Sequence, residues 1–309
     1  MRREMNHQIC FFGDYWDDMW RRRQQLACRL AQTDWVTNLV YIERPLPITS
    51  LIKFSLGQAD LDGTARWRRV LGNHSWVMSI GEKLSVLTAS APLPPVNSKL
   101  IFQASEWLRD RWLLKRLKKY FHVKRPLVWI SHPQVSVEVI KSFEPLILWY
   151  DCTEDFSAWP GLPAPVIEQI RSTDIWLTEH ADVVTTVSRT LYNEKSKLNM
   201  RTYWLPNAVD IGLFMQPKEN PPMPKELQDI QRPILTFVGG MSDWAHDWDL
   251  LDQVAALRQN WTIILIGELS ITSRTAKMLK AHGNILCLGQ KPYSELPNYL
   301  ANSDICFRK

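Results

Sequence analysis

The chain has 309 residues, enough for two domains of ordinary size, and its hydrophobic fraction of 45% is typical of globular proteins and argues against disorder. Its formal net charge of +5 is too small by itself to indicate nucleic-acid binding. Five scattered cysteines form no CxxC pair, which favours reduced thiols in a cytoplasmic protein over a metal framework. We expect neither a signal peptide nor a membrane-spanning helix, because no apolar segment approaches the ~20 residues that cross a bilayer.

The N-terminal part carries the first strand and helix signals. Gln8–Phe12 is a short apolar run closed by Gly13 and predicts a strand. Trp20–Ala31 has apolar residues at helical spacing, and Asn38–Glu43 predicts the second strand of a βαβ unit. Gly13 either closes a tight turn or lets the backbone approach a ligand, and both interpretations stay open.

Two more predicted strands, Ser75–Ile80 and Lys83–Ala89, precede the longest predicted helix, Asn97–His122. Placed at 100° per residue, the apolar residues of this helix from Trp107 onward gather on one side. The opposite side is basic and comprises Arg109, Arg111, Lys115, Arg116, Lys118 and Lys119. A basic amphipathic helix can bind an anionic membrane surface, and a solvated helix face is the equally weighted alternative. The residues expected to contact a membrane are Trp107, Arg111, Lys115, Arg116, Lys118 and Lys119.

Polar residues follow two later predicted strands, Leu127–Ser131 and Leu146–Asp151. Ligands of open parallel sheets bind outside the carboxyl ends of the strands, so these side chains are candidates for a site. The candidate catalytic residues are His132, Asp151, Glu154 and Asp155. The alternative, for at least one of the three acids, is that its side chain caps the N-terminus of a helix.

A proline-rich segment divides the chain. Clustered proline disfavours helix and sheet interiors, so Gln216–Pro233 predicts a crossing between two domains. We expect a first domain over residues 1–205, a hinge and linker over 206–233, and a second domain over 234–309.

The second part again alternates strands with helices. Its predicted strands are Ile234–Gly239, Thr262–Gly267, Asn284–Gly289 and Asp304–Phe307, and its predicted helices are Trp248–Gln259, Ser273–Ala281 and Tyr293–Ser303. Glycines end or follow three of these strands, as loops that face a nucleotide require.

Several ordered segments resemble the GT-B glycosyltransferases of the family-4, or group 1, type. LPNAVDIGLF is similar to the PNGVD…F segment of that family, with Ala208 in place of the usual glycine. EHADVVTTVSRTL, ILTFVGG, TIILIGE and NILCLGQKPYSELPNYLANSDICF resemble further segments in the same order. The resemblance implies an α/β chain with two Rossmann-like parallel-sheet domains. It also implies transfer of a sugar from a nucleotide donor on the second domain to an acceptor on the first, without a metal or other cofactor.

The donor-binding residues that the resemblance implies are Gly13, Gly239, Gly240, His246, Gly267, Glu268, Gly289 and Tyr293. The loop after Gly240 lacks the family's usual arginine and lysine, which leaves His246 as the nearby cation. The RRRQQLA and YDCTEDF segments resemble enzymes of teichuronic acid and related surface polysaccharides, whose acceptors are glycans or lipid-linked. This implies a cytoplasmic protein that contacts the inner face of the cell membrane.

Two other functional classes stay open. Only four strands of the second domain are visible, and the carboxylate-bearing segment that holds the donor sugar in the family is missing, so we expect an incomplete second domain and impaired catalysis. A non-catalytic remnant, or an acceptor-binding domain, is therefore one alternative. A GT-B-shaped nucleotide-sugar epimerase is the other. Nucleotide binding distinguishes a glycosyltransferase or an epimerase from a non-catalytic remnant, because either enzyme must bind its nucleotide-sugar substrate and a remnant need not.

Overall fold

Strands and helices alternate in the described chain, as the sequence periodicities predict. The computed structural model describes residues 7–16, 21–57, 61–93, 96–215 and 221–307, with only the backbone of 61–63. The chain folds as two units, Met1–Ala208 and Val209–Lys309. Each unit is built on a sheet of mainly parallel strands, which confirms the predicted α/β class.

The first unit contains an eight-stranded sheet. Its strands are β1 (His7–Phe12), β2 (Val36–Pro47), β3 (Val77–Ser79), β4 (Leu84–Ala91), β5 (Leu127–Ile130), β6 (Ile147–Cys152), β7 (Val183–Thr186) and β8 (Thr202–Trp204). They lie in the order β3-β4-β2-β1-β5-β6-β7-β8, and all neighbours are parallel except β3 and β4. Its helices are α1 (Arg22–Ala31), α2 (Ser50–Ser55), α3 (Leu61–Gly72), α4 (Lys99–Phe121), α5 (Val137–Ser142), α6 (Ala164–His180) and α7 (Arg189–Lys195).

The strand order reverses between β1 and β5. From β1 the chain builds outward through β2 and β4, and then returns to place β5 on the other side of β1. Helices on either side of such a reversal leave a crevice at the carboxyl ends of the two strands, where ligands of doubly wound sheets bind. Gly13 and His132 follow these two strand ends.

Aromatic rings form the centre of one face of this sheet. Phe11, Trp129 and Trp149 stand opposite one another on β1, β5 and β6. Trp129 stacks in parallel on Phe11 at 4.0 Å and on Trp149 at 4.4 Å between ring centroids. Such stacked pairs stabilise the core beyond the area they bury, so several of the chain's tryptophans serve packing.

The long helix α4 packs on the sheet through a ridge of residues spaced three or four apart. The ridge comprises Phe102, Ser105, Arg109, Leu113, Leu117 and Phe121, all of them buried. The prediction that Arg109 belongs to the exposed basic side is wrong. Its side chain is only 3% exposed and forms ion pairs with Glu106 and Asp110, which makes burial of the charge tolerable. Tyr120, one of the residues from Trp107 onward that were expected to gather on the apolar side, is exposed.

The strands of the second unit are β9 (Ile234–Val238), β10 (Met241–Ser242), β11 (Thr262–Ile266), β12 (Leu269–Ser270), β13 (Ile285–Gly289) and β14 (Ile305–Phe307). Four of them form a parallel sheet in the order β13-β11-β9-β14, and β10 and β12 form a separate pair. Its helices are α8 (Ile211–Phe214), α9 (Trp248–Leu257), α10 (Ser273–Ala281) and α11 (Leu296–Ala301).

The described part of the predicted crossing is largely irregular. Residues 221–233 contain one short 3-10 helix, Lys225–Leu227, whereas 216–220 lie outside the described residues. Within the described ranges, no helix combines the length and the apolar character that crossing a bilayer requires.

Candidate functional site

Asp14 is the centre of a charged cluster at the carboxyl end of β1. Its carboxylate, 3% exposed, accepts from Arg44 Nε at 2.6 Å and from Arg23 Nη1 at 3.4 Å. Arg21 Nη1 lies 3.7 Å away. Burial alone would raise the pKa of Asp14, but the positive charges around it, Arg44 first, hold the pKa well below its usual range. Asp14 is therefore a fixed carboxylate that orients the arginines.

Three elements supply this cluster. The first turn of α1 brings Arg23 to the end of β1, and β2 brings Arg44 from the neighbouring strand. The Arg44 guanidinium lies over the Tyr15 ring at 4.4 Å and over the Trp159 ring at 5.4 Å. Cation–π contacts with two rings restrict this long side chain, so its charge is held in one place.

His132 lies beside this cluster after β5. Its ring is 4% exposed and lies 4.3 Å from the Phe156 ring. The Gln134 N–H donates to His132 Nδ1 at 3.2 Å, which leaves the proton of a neutral imidazole on Nε2. Burial, and then the positive charge of Arg44, lower the pKa of His132 well below its usual value. The ring is therefore neutral at pH 7 and can donate through Nε2.

A narrow crevice opens at the strand reversal and joins these groups. Its lining includes Gly13, Arg44, His132 and Gln134. A Cβ atom on Gly13 would lie 2.2 Å from the Tyr41 hydroxyl, so glycine is required there by packing against β2. The structure thus gives a packing reason for glycine at position 13. The Gly13 backbone also faces the crevice, as the ligand-binding interpretation requires.

The three predicted acids play different parts. Asp151 is fully buried, and it pairs with Arg22 at 3.1 Å and accepts from the Thr185 hydroxyl at 2.7 Å. It shares the α1 face of the sheet with Trp149, whereas His132 packs on Phe156 towards α4 and α6. Asp151 and His132 thus have different neighbours, and the expectation that they share one site stays a prediction.

Glu154 and Asp155 lie in the loop after β6. Asp155 caps the 3-10 helix Phe156–Ala158 by accepting from the Ser157 N–H at 3.0 Å, as the capping alternative predicts. Glu154 is exposed and accepts from Trp159 Nε1 at 3.1 Å. Because His132 also contacts Trp159, Glu154 and His132 belong to the same cluster.

The cluster contains residues that the predicted site omits: Asp14, Arg23 and Arg44. A signal for them exists in the sequence, since Asp14 follows the glycine after β1 and three consecutive arginines stand at the start of the first helix. Nothing in the sequence shows that Arg44 lies beside Asp14, because the two meet only through the parallel pairing of β1 and β2.

In the second unit, the predicted glycines bring three strand ends close together. Gly239 N–H donates to Ile266 O, and Gly267 N–H donates to Gly289 O, both at 2.9 Å. Gly267 has a φ of 141°, and a Cβ atom there would overlap the Gly239 backbone. Next to them, a Cβ on Gly240 would meet nothing within 4 Å. Gly239 and Gly267 thus serve close packing between strands, whereas Gly240 and Gly289 leave open space beside the backbone.

The other predicted donor-binding residues have varied surroundings. The His246 ring packs against Phe237 at 5.2 Å and Trp248 at 5.5 Å, and it lines an apolar cavity of about 350 Å³. His246 therefore packs against two aromatic rings of the second unit. The sequence predicted a different role for it, as the cation that binds the donor diphosphate. Tyr293 lies edge-on to Phe214, and the Glu268 carbonyl accepts from Met241 N–H. Across the described ranges, His, Cys, Asp and Glu form no group of three that could hold a metal ion.

Comparison of the sequence with protein-family models gives no match, and neither does a search of curated proteins. Solved structures do match. A sucrose-phosphate synthase from Thermosynechococcus elongatus gives a TM-score of 0.66 at 14% identity, covering 97% of this chain and 75% of that one. Anabaena HepE, in complex with UDP and glucose, gives 0.58 at 13% identity, covering 97% and 73%. WaaG, a glycosyltransferase involved in lipopolysaccharide biosynthesis, gives 0.57 at 11%, covering 96% and 74%.

These proteins are GT-B glycosyltransferases, and the chain has their fold. The predicted GT-B architecture is thereby confirmed. At identities this low, a structural match establishes the fold and leaves the activity to be argued from the site. The finer resemblance, to the family-4 type and to enzymes of teichuronic acid synthesis, stays a prediction.

Proposed function

We propose that the protein is a glycosyltransferase that moves a sugar from a nucleotide donor to a glycan or lipid-linked acceptor. The observation that carries the proposal is the set of glycines at the strand ends of a chain with the GT-B fold, among which Gly240 and Gly289 have open space where a Cβ would stand. Backbone of this kind lets a diphosphate approach amide groups closely. Amides and basic side chains can stabilise a departing nucleotide without a metal.

The acceptor side of the proposal rests on the cluster around Asp14. His132 offers an Nε2 donor, and the exposed Glu154 offers an acceptor for a hydroxyl proton. A general base needs access and a partner that orients it, and Trp159 Nε1 orients Glu154. Of the four predicted catalytic residues, His132 and Glu154 therefore remain candidates, whereas Asp151 and Asp155 have structural partners.

Calorimetric titration with UDP, followed by UDP-glucose with product analysis, tests this function. We expect UDP to bind and UDP-glucose to be turned over slowly with release of UDP, because water can replace the acceptor. An epimerase would instead yield an isomeric UDP-sugar without free UDP. Absence of binding by UDP and by other nucleoside diphosphates would contradict both enzyme functions and favour the non-catalytic alternative.

We also propose that α4 holds the protein at an anionic membrane surface on the cytoplasmic side. Opposite its buried ridge, the helix exposes first apolar and then basic side chains: Leu100, Ala104, Trp107, Leu108, Arg111, Lys115, Lys118 and Lys119. Arg111 lies over the Trp107 ring at 4.7 Å, which joins the two parts. Arg116 is half-buried against Trp112 and Tyr120, so its share in this surface is smaller than predicted. An aromatic residue beside lysines suits the interface of an anionic bilayer.

A further inference from the structure

We infer that the acceptor is an uncharged oligosaccharide, and that a groove beside the crevice binds the sugar units behind its reacting end. The groove lies between α4, α5 and α6 of the first unit and has a volume of about 630 Å³. The inference rests on the proposed function for the existence of an acceptor. Binding of the oligosaccharide itself can be measured without any sugar transfer.

The crevice at the strand reversal is too small for a sugar ring. It encloses about 20 Å³, which is room for about one water molecule. Ligand sites typically have about 300–1,000 Å³, and the groove lies within that range. Asp110 lines both the crevice and the groove. A chain whose terminal hydroxyl group lies in the crevice therefore continues past Asp110 into the groove.

Acidic and amide side chains of the groove hold hydrogen-bond acceptors that the protein does not fully use. Glu106 Oε2 accepts from Gln169 Nε2 at 2.7 Å and pairs with Arg109. Asp110 Oδ1 accepts from Arg109 Nη2 at 2.7 Å. These bonds leave the second oxygen of each carboxylate to accept from a ligand. The buried Gln169 Oε1 has no hydrogen-bond partner in the described part of the chain. A ligand for these groups must bring donors, which sugar hydroxyls supply.

Glu106 in particular gains from such a donor. Burial, the largest effect, raises the pKa of its carboxyl above the ordinary value, although Arg109 and Gln169 act in the opposite direction. The carboxylate thus lacks part of the hydrogen bonding that water would supply. A hydroxyl group that donates to it stabilises the ionised form without adding charge.

Trp107 gives the groove an apolar surface. Its side chain is 56% exposed, although the Arg111 guanidinium lies over its ring at 4.7 Å. Phe102, Leu114 and Val139 add further apolar lining. The C–H face of a pyranose ring can pack on such a surface while its hydroxyls reach the polar groups beside it. Acceptors next to an exposed indole ring therefore suit a sugar.

A charged ligand fits these features less well. A basic peptide would also supply donors, but Arg111 already lies over the Trp107 ring, and Lys99 lines the groove in a pair with Glu168 at 3.0 Å. A further cation would meet like charges at both places. An anion would instead meet the carboxylates of the groove. An uncharged ligand avoids both costs.

The groove and the membrane surface proposed above use different parts of α4. The groove extends along the helix as far as Leu114, whereas the exposed lysines that attract anionic lipid, Lys115, Lys118 and Lys119, follow it. Trp107 and Arg111 belong to both. Glycan binding is therefore measured without lipid.

Saturation-transfer NMR of the full chain tests the inference with cellotetraose, maltotetraose and chitotetraose, with their monosaccharides, and with tetralysine. We expect at least one tetrasaccharide to bind about ten-fold or more tightly than its monosaccharide, a difference of about 1.4 kcal/mol. Because the ligand is uncharged, salt should change its affinity by less than about two-fold.

Variants of Trp107 show whether the groove is the site. Trp107→Ala should weaken tetrasaccharide binding about ten-fold, and Trp107→Phe, which keeps an aromatic ring, should weaken it less. Trp35→Ala is the matched control, because Trp35 is 41% exposed and precedes β2 at the amino end of the strand, away from the crevice.

The inference is overturned if no tetrasaccharide binds, if none binds more tightly than its monosaccharide, or if Trp107→Ala leaves the binding unchanged. Tighter binding of tetralysine that Trp107→Ala removes would assign the groove to a basic peptide and also overturn it. A chain that binds UDP but no tetrasaccharide would leave the proposed function standing. Tetrasaccharide binding by a chain that binds no nucleotide would support the groove and count against the proposed function.

Discussion

The carbonyl oxygen of Gly239 lies 1.9 Å from the point that a Cβ atom on Gly267 would occupy. With the φ of 141° at Gly267, this contact leaves no room for any side chain where β9 and β11 end. Gly267→Ala should therefore destabilise the second unit by about 2–3 kcal/mol, through backbone strain and overlap.

Urea denaturation of the full chain measures this effect. Gly283→Ala is the control, because a Cβ there would meet nothing within 4 Å and its φ lies outside the positive range. We expect the control to change stability by less than about 1 kcal/mol. Equal effects of the two substitutions would show that the close contact at Gly267 relaxes freely.

Glu43 forms an enclosed ion-pair network in the first unit. It is 2% exposed, pairs with Arg69 and Arg66, and accepts from the Thr88 hydroxyl at 2.6 Å and the Trp16 N–H at 2.7 Å. Glu43→Gln keeps the volume but leaves buried guanidinium charge uncompensated, so it should cost about 3 kcal/mol or more. In urea titrations the exposed control, Glu179→Gln, should stay within about 0.5 kcal/mol of the wild type. A neutral effect at Glu43 would mean that water already reaches these arginines.

We expect His132 to make the free energy of unfolding depend on pH. Its pKa in the folded state is well below 6.5, chiefly through burial and then through Arg44, so the unfolded chain binds a proton that the folded chain does not. Stability should therefore fall as pH decreases below about 6.5, by up to about 1.4 kcal/mol per pH unit.

Urea titrations between pH 7.5 and about 5.5 should show a shallower pH dependence for His132→Gln than for the wild type. His180→Gln, which removes an exposed histidine that stacks on Trp176, is the control. Identical slopes for all three proteins would show that folding does not change the proton affinity of His132.

Membrane binding through α4 should depend on Lys115, Lys118 and Lys119, which are all exposed. Each contributes about 1 kcal/mol near an anionic leaflet, so replacing all three by Glu should abolish sedimentation with phosphatidylglycerol vesicles. The same reversal at Arg274, Lys277 and Lys280, exposed basic residues of α10, should have little effect. Sedimentation that does not vary with anionic lipid content, or that both triple variants retain, would contradict the proposal.

The alternation of strands and helices could be predicted because periodicity and strand-ending glycines are local signals. Predicted and observed boundaries agree closely for β1 and for α10, where the apolar pattern has clear ends. The two-residue strands β10 and β12 could not be predicted, because two residues carry no period. Arg109 was misplaced since a charged residue was assumed to face water, whereas Glu106 and Asp110 supply its counter-charges within one helical turn.

The candidate site was predicted in part. His132 and Glu154 follow from the rule that ligands bind at the carboxyl ends of parallel strands. Asp151 obeys the same rule and is nevertheless buried, because the alternation along β6 turns it towards Arg22 on α1. The arginines around Asp14 depend on which strands are neighbours, and a single sequence does not contain that information.

The stack of Trp129 on Trp149 also provides an internal spectroscopic probe. Two indole rings 4.4 Å apart and within 6° of parallel couple their electronic transitions and should give an exciton couplet in circular dichroism. Both rings belong to the first unit, whereas Trp244, Trp248 and Trp261 belong to the second. Loss of the couplet during denaturation would therefore report the unfolding of the first unit alone. Tryptophan fluorescence would not give this distinction, because it sums the signals of fifteen tryptophans.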